Sequence, residues 1–279
     1  MAAKTWFITG VSSGLGAAIA AAALARGDRV AGLLRNEAAG QAFEAQAPGR
    51  AMACIADVRD REAVFARVAE VEARTDGVDI LVNNAGQVLE SFIEEVEPDA
   101  ARTLLDINLL GPLTCIQAVL PFMRARGRGK IFNVSSGGGI LGVPSVGFYS
   151  ATKFALEGLS EALAAEVGGL GIQVTIIEPG AFRTNLLVTS RTTIASKIPD
   201  YDRTAGKFRR RIASMGGLEP GDPSRLAQAM LVLADSETPP LRAPLGDDAI
   251  GMVRQKIDSI LGDLSQWESL GKDLGFPKT

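Results

Sequence analysis

The chain has 279 residues, 47% of them apolar and 22% charged, with a formal net charge of -3. That size and balance suit one α/β unit able to bury roughly 75% of its extended surface, and a small charge without long runs of one sign excludes wrapping around nucleic acid. Histidine is absent, which excludes imidazole bases, Ser-His-Asp triads and His-based zinc sites and leaves acid–base work to Tyr, Lys, Asp, Glu or Cys.

Residues 4–9 form an apolar run that reads as a buried strand and feeds into a glycine turn, Gly10-Val11-Ser12-Ser13-Gly14-Leu15-Gly16. The alanine-rich stretch 17–26 then reads as a helix. Strand, glycine turn and helix make an anion site: glycines let a phosphate approach the backbone, and the helix start offers unpaired N–H groups. The reading is a pyrophosphate cradle. Residues 29–34 form a second strand that ends at Arg35, residues 37–46 a short helix, and 51–56 a third strand closed by Asp57. Residues 61–75 carry Val64, Val68 and Val71 on one helical face. A fourth strand at 79–82 runs into Asn83-Asn84-Ala85-Gly86. Cys54 and Cys115 sit in apolar contexts without metal spacing and read as buried free thiols.

Residues 98–126 are helical, with Gly111-Pro112 expected to split or bend the helix. A fifth strand at 130–134 ends at Ser135-Ser136, followed by a glycine-rich loop over 137–147. A helix spans 149–167, and a sixth strand at 172–177 is stopped by Pro179-Gly180. Periodicity weakens over 185–222, which reads as a lid. It includes the basic residues Arg203, Lys207, Arg209, Arg210 and Arg211, expected on its outer face. Helix returns at 223–233, an edge strand is expected at 241–245, and one or two helices close the chain. Strand–helix alternation predicts a parallel sheet of about seven strands with helices on both faces, a doubly wound three-layer α/β/α sandwich. The expected organisation is a single domain over 1–279, with a lid near 185–222 and a helical tail near 247–279. No signal-like segment and no run of eighteen apolar residues is seen, so a soluble cytoplasmic protein without a membrane span is expected.

Tyr149 and Lys153 stand four apart at a helix start and share one face. A phenol is a poor base at neutral pH, and a neighbouring ammonium favours the phenolate. Ser136 follows the fifth strand, at the carboxyl edge where ligands of open α/β sheets gather.

The chain resembles the short-chain dehydrogenase/reductase family in its compact form. The resemblance rests on Thr9-Gly10-x3-Gly14-x-Gly16, Asn83-Asn84-Ala85-Gly86, Asn108, Ser136, Tyr149-x3-Lys153, and Pro179-Gly180 with Thr184, in the family's order. Residues 149–158 and the late PLRAPLG stretch look like NADP-dependent ketone/alcohol reductases, a group bordering the hydroxysteroid and retinol dehydrogenases. The resemblance implies a Rossmann-type sheet with strand order 3-2-1-4-5-6-7, Tyr149 as general acid/base and Ser136 as the group polarising the substrate oxygen. Lys153 would hold the nicotinamide ribose and lower the Tyr149 pKa, and Asn108 would support a water relay; no metal is required.

The same resemblance places the pyrophosphate over Gly10, Ser12, Ser13, Gly14, Leu15 and Gly16. Asp57 would accept from the adenine amine beside Val58, and Asn84, Ala85 and Gly86 would lie near the adenosine ribose. Pro179 and Gly180 would shape the nicotinamide loop, with Thr184 bonding the carboxamide or pyrophosphate. NAD-preferring members usually place an acid at the end of the second strand. Here Leu34 and then Arg35 stand instead, which implies NADP(H) over NAD(H), although a basic residue inside the glycine turn is lacking. Leu141, Val143, Phe148, Phe182, Leu186, Leu187 and Met215, with Ser136 and Tyr149, imply a hydrophobic ketone or secondary alcohol as substrate. A homodimer or homotetramer through the helices after the fourth and fifth strands is implied as well. The competing readings are a non-catalytic dinucleotide-binding regulatory protein, whose usual losses in the tyrosine, lysine or glycine turn are not seen, and an NAD(P)-dependent epimerase or dehydratase, whose larger C-terminal domain the chain after Leu241 is too short to form.

Overall fold

The computed structural model describes residues 3–184, 186, 190–272 and 274–276. Seven strands form one parallel sheet: β1 (Thr5–Thr9), β2 (Arg29–Leu34), β3 (Ala51–Ile55), β4 (Ile80–Asn83), β6 (Gly129–Val134), β7 (Ile172–Pro179) and β9 (Arg242–Leu245). Their order is β3-β2-β1-β4-β6-β7-β9. This is the expected topology. It differs in sequence numbering because two short strands, β5 (Val88–Glu90) and β8 (Arg191–Thr193), pair with each other in a separate two-stranded parallel sheet.

The central strands read as unbroken apolar runs because helices cover both of their faces. Alternation still sorts the side chains. Trp6, Ile8, Ile80, Val82, Phe132 and Val134 face α1 (Gly14–Ala25) and α9 (Pro223–Asp235), while Phe7, Leu81 and Ile131 face α3 (Arg61–Arg74) and α5 (Gly111–Arg126). The alanines of α1 let it lie close to the sheet and to α9. Cys54 and Cys115 are buried free thiols, and burial pushes both up to about 12.

Three local details go beyond the expectations. The helix over 98–126 is split as expected, but by a π-helical turn: α4 (Pro98–Leu105) passes into Asp106–Leu110 before α5 begins at Gly111. Gly111 N–H reaches back to the Asp106 carbonyl, five residues away. Pro112 has no N–H to donate, so the ladder loosens into a wider turn that carries Asn108 inward. The whole 29-residue span has the length and hydropathy of a membrane-crossing helix, yet half of its most apolar window is buried in the protein. Secondly, the 190–222 portion of the expected lid has secondary structure of its own. It contains β8, α7 (Asp200–Thr204) and α8 (Gly206–Ser214). Thirdly, α6 (Gly147–Val167) starts two residues before Tyr149. The remaining helices are α2 (Glu37–Glu44) and α10 (Asp247–Trp267).

The sheet's direction of winding reverses between β1 and β4, which opens a crevice at their carboxyl ends. There Gly16 allows α1 to close against the strand ends: a Cβ on it would overlap the Gly10 carbonyl oxygen and Asn84 Nδ2. Neither neighbour is free to retreat, so Gly16→Ala is expected to cost about 2–3 kcal/mol of stability. Urea unfolding of the variant against wild type measures this; an unchanged midpoint would show that the turn relaxes freely.

Candidate active site

The crevice is a continuous open cleft along the carboxyl ends of the strands. At one end β2 and β3 deliver Leu34, Arg35, Asp57 and Val58. Arg35 is exposed at the rim. Asp57 is forked by Arg59, whose Nε and Nη2 donate to the two carboxylate oxygens at 3.0 and 2.8 Å. That hydrogen bonding, with Arg35 contributing charge, holds the Asp57 carboxyl below its ordinary value. Its negative charge is therefore largely matched by its own neighbour.

The glycine turn forms the middle of the cleft. Gly10 and Gly14 take φ of 76° and 62°, a region that favours glycine. Gly10, Ser12, Ser13, Gly14 and Leu15 line the cleft. Ser13 precedes α1 without capping it through its side chain, so its exposed hydroxyl and the α1 N–H groups face the same space. Thr184 packs over Gly14 from the opposite wall, while its Oγ1 accepts from the Leu186 N–H at 3.2 Å. Gly16 is the exception among the expected phosphate residues: it packs the turn and does not line the cleft. The anchor beneath is polar. Thr9 Oγ1 accepts from the N–H groups of Asn84 and Ala85 at 3.0 and 2.9 Å, and Asn84 Nδ2 donates to the Thr9 carbonyl at 2.9 Å.

The other end gathers Ser136, Tyr149, Lys153, Pro179, Gly180 and Gly86. Tyr149 and Lys153 come from the first turns of α6, and Lys153 Nζ lies 5.8 Å from the centre of the Tyr149 ring. Ser136 caps the short turn Gly137–Gly139, its Oγ accepting from Gly138 N–H at 3.0 Å. Burial pushes the Tyr149 phenol above its ordinary value, and a hydrogen bond with Ser136 opposes that shift. The expected lowering by Lys153 is not what the protein's own groups produce. The ammonium points at the Val134 carbonyl, 2.8 Å away, and burial lowers its own pKa to about 8 while Glu157 opposes. Glu157 is pushed up to about 7, again by burial first. Arg242 bridges it to Glu178 and Glu161.

Asn108 is fully buried behind this end and is not part of the cleft lining. Its Oδ1 accepts from Gln87 N–H at 2.9 Å, and its Nδ2 donates to the Gln87 carbonyl and to Thr152 Oγ1 at 2.9 and 3.1 Å. The amide thus pins the chain just after Gly86.

The pattern of the short chain dehydrogenase family matches residues 4–195. The chain belongs to the short-chain dehydrogenases. A solved short-chain dehydrogenase from Streptomyces avermitilis is 41% identical, with a TM-score of 0.91, and the match covers 98% of this chain and 99% of that one. The oxidoreductase BOA17 of Botryotinia fuckeliana is 34% identical over 96% of this chain and 97% of its own length. The 3-ketodihydrosphingosine reductase of Bacteroides thetaiotaomicron is 33% identical over 86% of each. A dinucleotide site is typical of the short-chain dehydrogenase fold, and the residues present fit one: backbone N–H groups and hydroxyls line the middle, with a cation at one end and a Ser-Tyr-Lys set at the other.

The substrate side of this short-chain dehydrogenase departs from expectation. Phe182 and Leu186 line the cleft, whereas Leu141, Val143, Phe148 and Met215 do not. The 137–147 loop folds back on α6 instead, Val143 N–H donating to Ser150 Oγ at 3.2 Å. Leu187 lies outside the described residues. The basic cluster is also divided. Lys207, Arg210 and Arg211 are exposed and Arg203 pairs with Asp200, but Arg209 turns inward and, with Arg191, clamps the buried Glu90 of β5. Cleft residues missed in the sequence include Leu33, Ala56, Val134 and Ser135, each at or just past a strand's carboxyl end. That position was the available signal. Gln87, Ile107 and Ser190 carried none.

The Lys153 environment gives a signed expectation. In ligand-free protein its ammonium should titrate near 8 instead of the ordinary 10.5, and Glu157→Gln should lower the midpoint further by removing the carboxylate that supports the charge. Because this pKa is depressed on folding, the unfolded chain binds the extra proton between those values, so the group adds stability as pH rises through that window. NMR of lysine labelled at Cε follows the titration; a midpoint unmoved by Glu157→Gln would remove the coupling.

Proposed function

We propose that this short-chain dehydrogenase is an NADP(H)-dependent enzyme that moves a hydride between the nicotinamide and a hydrophobic ketone or secondary alcohol. The observation that carries the reading is the joining of Ser136, Tyr149 and Lys153, the glycine turn and Arg35 along one cleft. The dinucleotide supplies the hydride chemistry when bound. The protein's residues do the rest. Backbone N–H groups of residues 12–15 and the α1 start hold the pyrophosphate, supported by Thr184. Lys153 holds the ribose hydroxyls. Ser136 donates a hydrogen bond to the substrate oxygen, and Tyr149 gives that oxygen its phenolic proton in reduction and takes one back in oxidation. A phenol raised by burial keeps its proton at neutral pH, which suits the reductive direction. Asn108 Oδ1 and Lys153 Nζ both face Gly86, so a water supported there would resupply the proton by way of Lys153.

Arg35 supports NADP(H): its guanidinium offers charge and a planar donor fork for a 2′-phosphate. Leu34 brings no carboxylate to repel that phosphate, and Asp57, the adenine partner in this reading, is already matched by Arg59. Phe182 and Leu186 favour an apolar substrate, and a relative named for reducing a 3-keto sphingoid supports a ketone. In this reading the enzyme works in the cytoplasm as a homodimer or homotetramer, with the small exposed residues Ala151, Gly158, Ala162 and Ala165 on α6 allowing close helix packing.

Fluorescence titration with NADPH and NADH, followed by turnover of a panel of hydrophobic ketones, tests the reading. Tyr149→Phe should keep NADPH binding and lose about 10²–10⁴-fold in kcat. Arg35→Ala should weaken NADPH about tenfold or more and leave NADH unchanged. Failure of both dinucleotides to bind at micromolar concentrations would end the enzyme reading, and full turnover by Tyr149→Phe would end the role of the phenol.

A further inference from the structure

Within α10, whose residues are all described, only Ala249 is buried. The root of the helix rests on the body: Met252 lies against Gly137, and Lys256 Nζ lies 5.8 Å over the Phe154 ring. From Ile257 through Gly271 every residue is exposed. This outer stretch is nevertheless strongly patterned. Ile250, Val253, Ile257, Ile260, Leu264 and Trp267 recur at alternating intervals of three and four, the a and d positions of a heptad seam. Ile257, Ile260, Leu264 and Trp267 are 50–59% exposed. A free helical stretch this short is marginal in water, and a one-sided apolar stripe requires a surface to cover it.

We propose that the surface is the same stripe on a second copy of this chain, paired antiparallel about a two-fold axis near the middle of α10. Such a pair stacks three kinds of layer. Ile250 faces Trp267 of the partner subunit, Val253 faces Leu264 of the partner subunit, and Ile257 faces Ile260 of the partner subunit. Each layer is repeated by symmetry, as an isologous interface demands. The flanking charges choose the direction. Lys256 and Asp263 stand beside the seam, and antiparallel pairing sets Lys256 opposite Asp263 of the partner subunit, twice. The same register also sets Asp247 opposite Glu268 of the partner subunit, but parallel pairing offers no attractive flanking pair and sets Asp263 beside Glu268 of the partner subunit.

Charge also argues against a lipid surface as the occupant. Across α10 four carboxylates (Asp247, Asp248, Asp258, Asp263) face two cations (Arg254, Lys256), whereas helices that lie on membranes are rich in Lys and Arg. This contact is separate from any pairing through α5 and α6, and it does not depend on the proposed reaction.

Analytical ultracentrifugation of the full chain over a concentration series tests the pairing, with circular dichroism to show that each variant keeps the native fold. Ile257→Asp with Leu264→Asp should halve the assembly mass. Lys256→Glu and Asp263→Lys should each weaken association by about tenfold, since each turns two attractive pairs into repulsive ones. The two together should restore it. The reversal pair is the sharper test, because only self-pairing in the antiparallel sense predicts rescue. An assembly mass unchanged by the double aspartate variant would overturn the proposal, as would failure of the reversed pair to recover association. So would a wild-type monomer at every concentration, and if that monomer bound phosphatidylcholine vesicles, the stripe would be a membrane face instead.

Discussion

The cleft depends on how β1 and β4 are held together where their pairing stops. Their parallel register runs from Trp6–Ile80 to Ile8–Val82, and beyond it the chains diverge toward opposite faces of the sheet. Backbone groups released there would be buried without partners, at a cost of about 1–3 kcal/mol each. Thr9 and Asn84 absorb them. The Thr9 hydroxyl takes two N–H groups from the β4 side, and the Asn84 amide returns a bond to the β1 side. Gly16 lets α1 close over this knot, so the glycine turn is presented to the cleft on a rigid base. A ligand phosphate would then meet N–H groups already in position, with little ordering left to be done.

The chemistry at the other end is governed by burial more than by pairing. Tyr149 is raised and Lys153 lowered, and desolvation is the leading cause of each. Both shifts favour the neutral forms, so this end of the cleft carries less charge than its residue types suggest. Glu157 lies one helical turn beyond Lys153 on α6 and is itself raised by burial, while Arg242 ties it to Glu178 at the end of β7. Tyr149 and Lys153 thus stand on a helix whose underside is bonded to the sheet. A site held this way positions its groups more tightly than one built on loops.

The 190–222 segment is fastened differently. Glu90 is buried and takes both Arg191 and Arg209, Arg209 lies 5.6 Å over the Phe92 ring, and Tyr201 stacks on Phe92 with its hydroxyl on Glu94. The β5–β8 sheet continues the seam. Glu90 therefore converts part of an apparently solvent-facing basic cluster into a clasp between the 190–222 segment and β5. Loss of one partner would leave a buried charge uncompensated, which makes such a clasp stiff.

Sequence alone determined the alternation of strands and helices in the main sheet, the site of the glycine turn and the shared face of Tyr149 and Lys153. These follow from local rules: apolar runs too short for helices, glycines between strand and helix, and a spacing of four on a helix. It also located Phe182 and Leu186, which follow the strand that ends at Pro179. It did not reveal that Gly16 packs beneath the turn without lining the cleft, that Leu141, Val143 and Phe148 do not line the cleft, or that Arg209 pairs with the buried Glu90. These turn on contacts that local patterns do not show: Gly16 with Asn84 and Arg209 with Glu90 across the chain, and Val143 bonded to Ser150 seven residues on. The pKa values divide in the same way. Sequence named the ionisable groups and their neighbours along the helix, but the size of the desolvation around Tyr149, Lys153 and Glu157 was decided by what the tertiary fold packs over them, because burial is a property of the assembled chain.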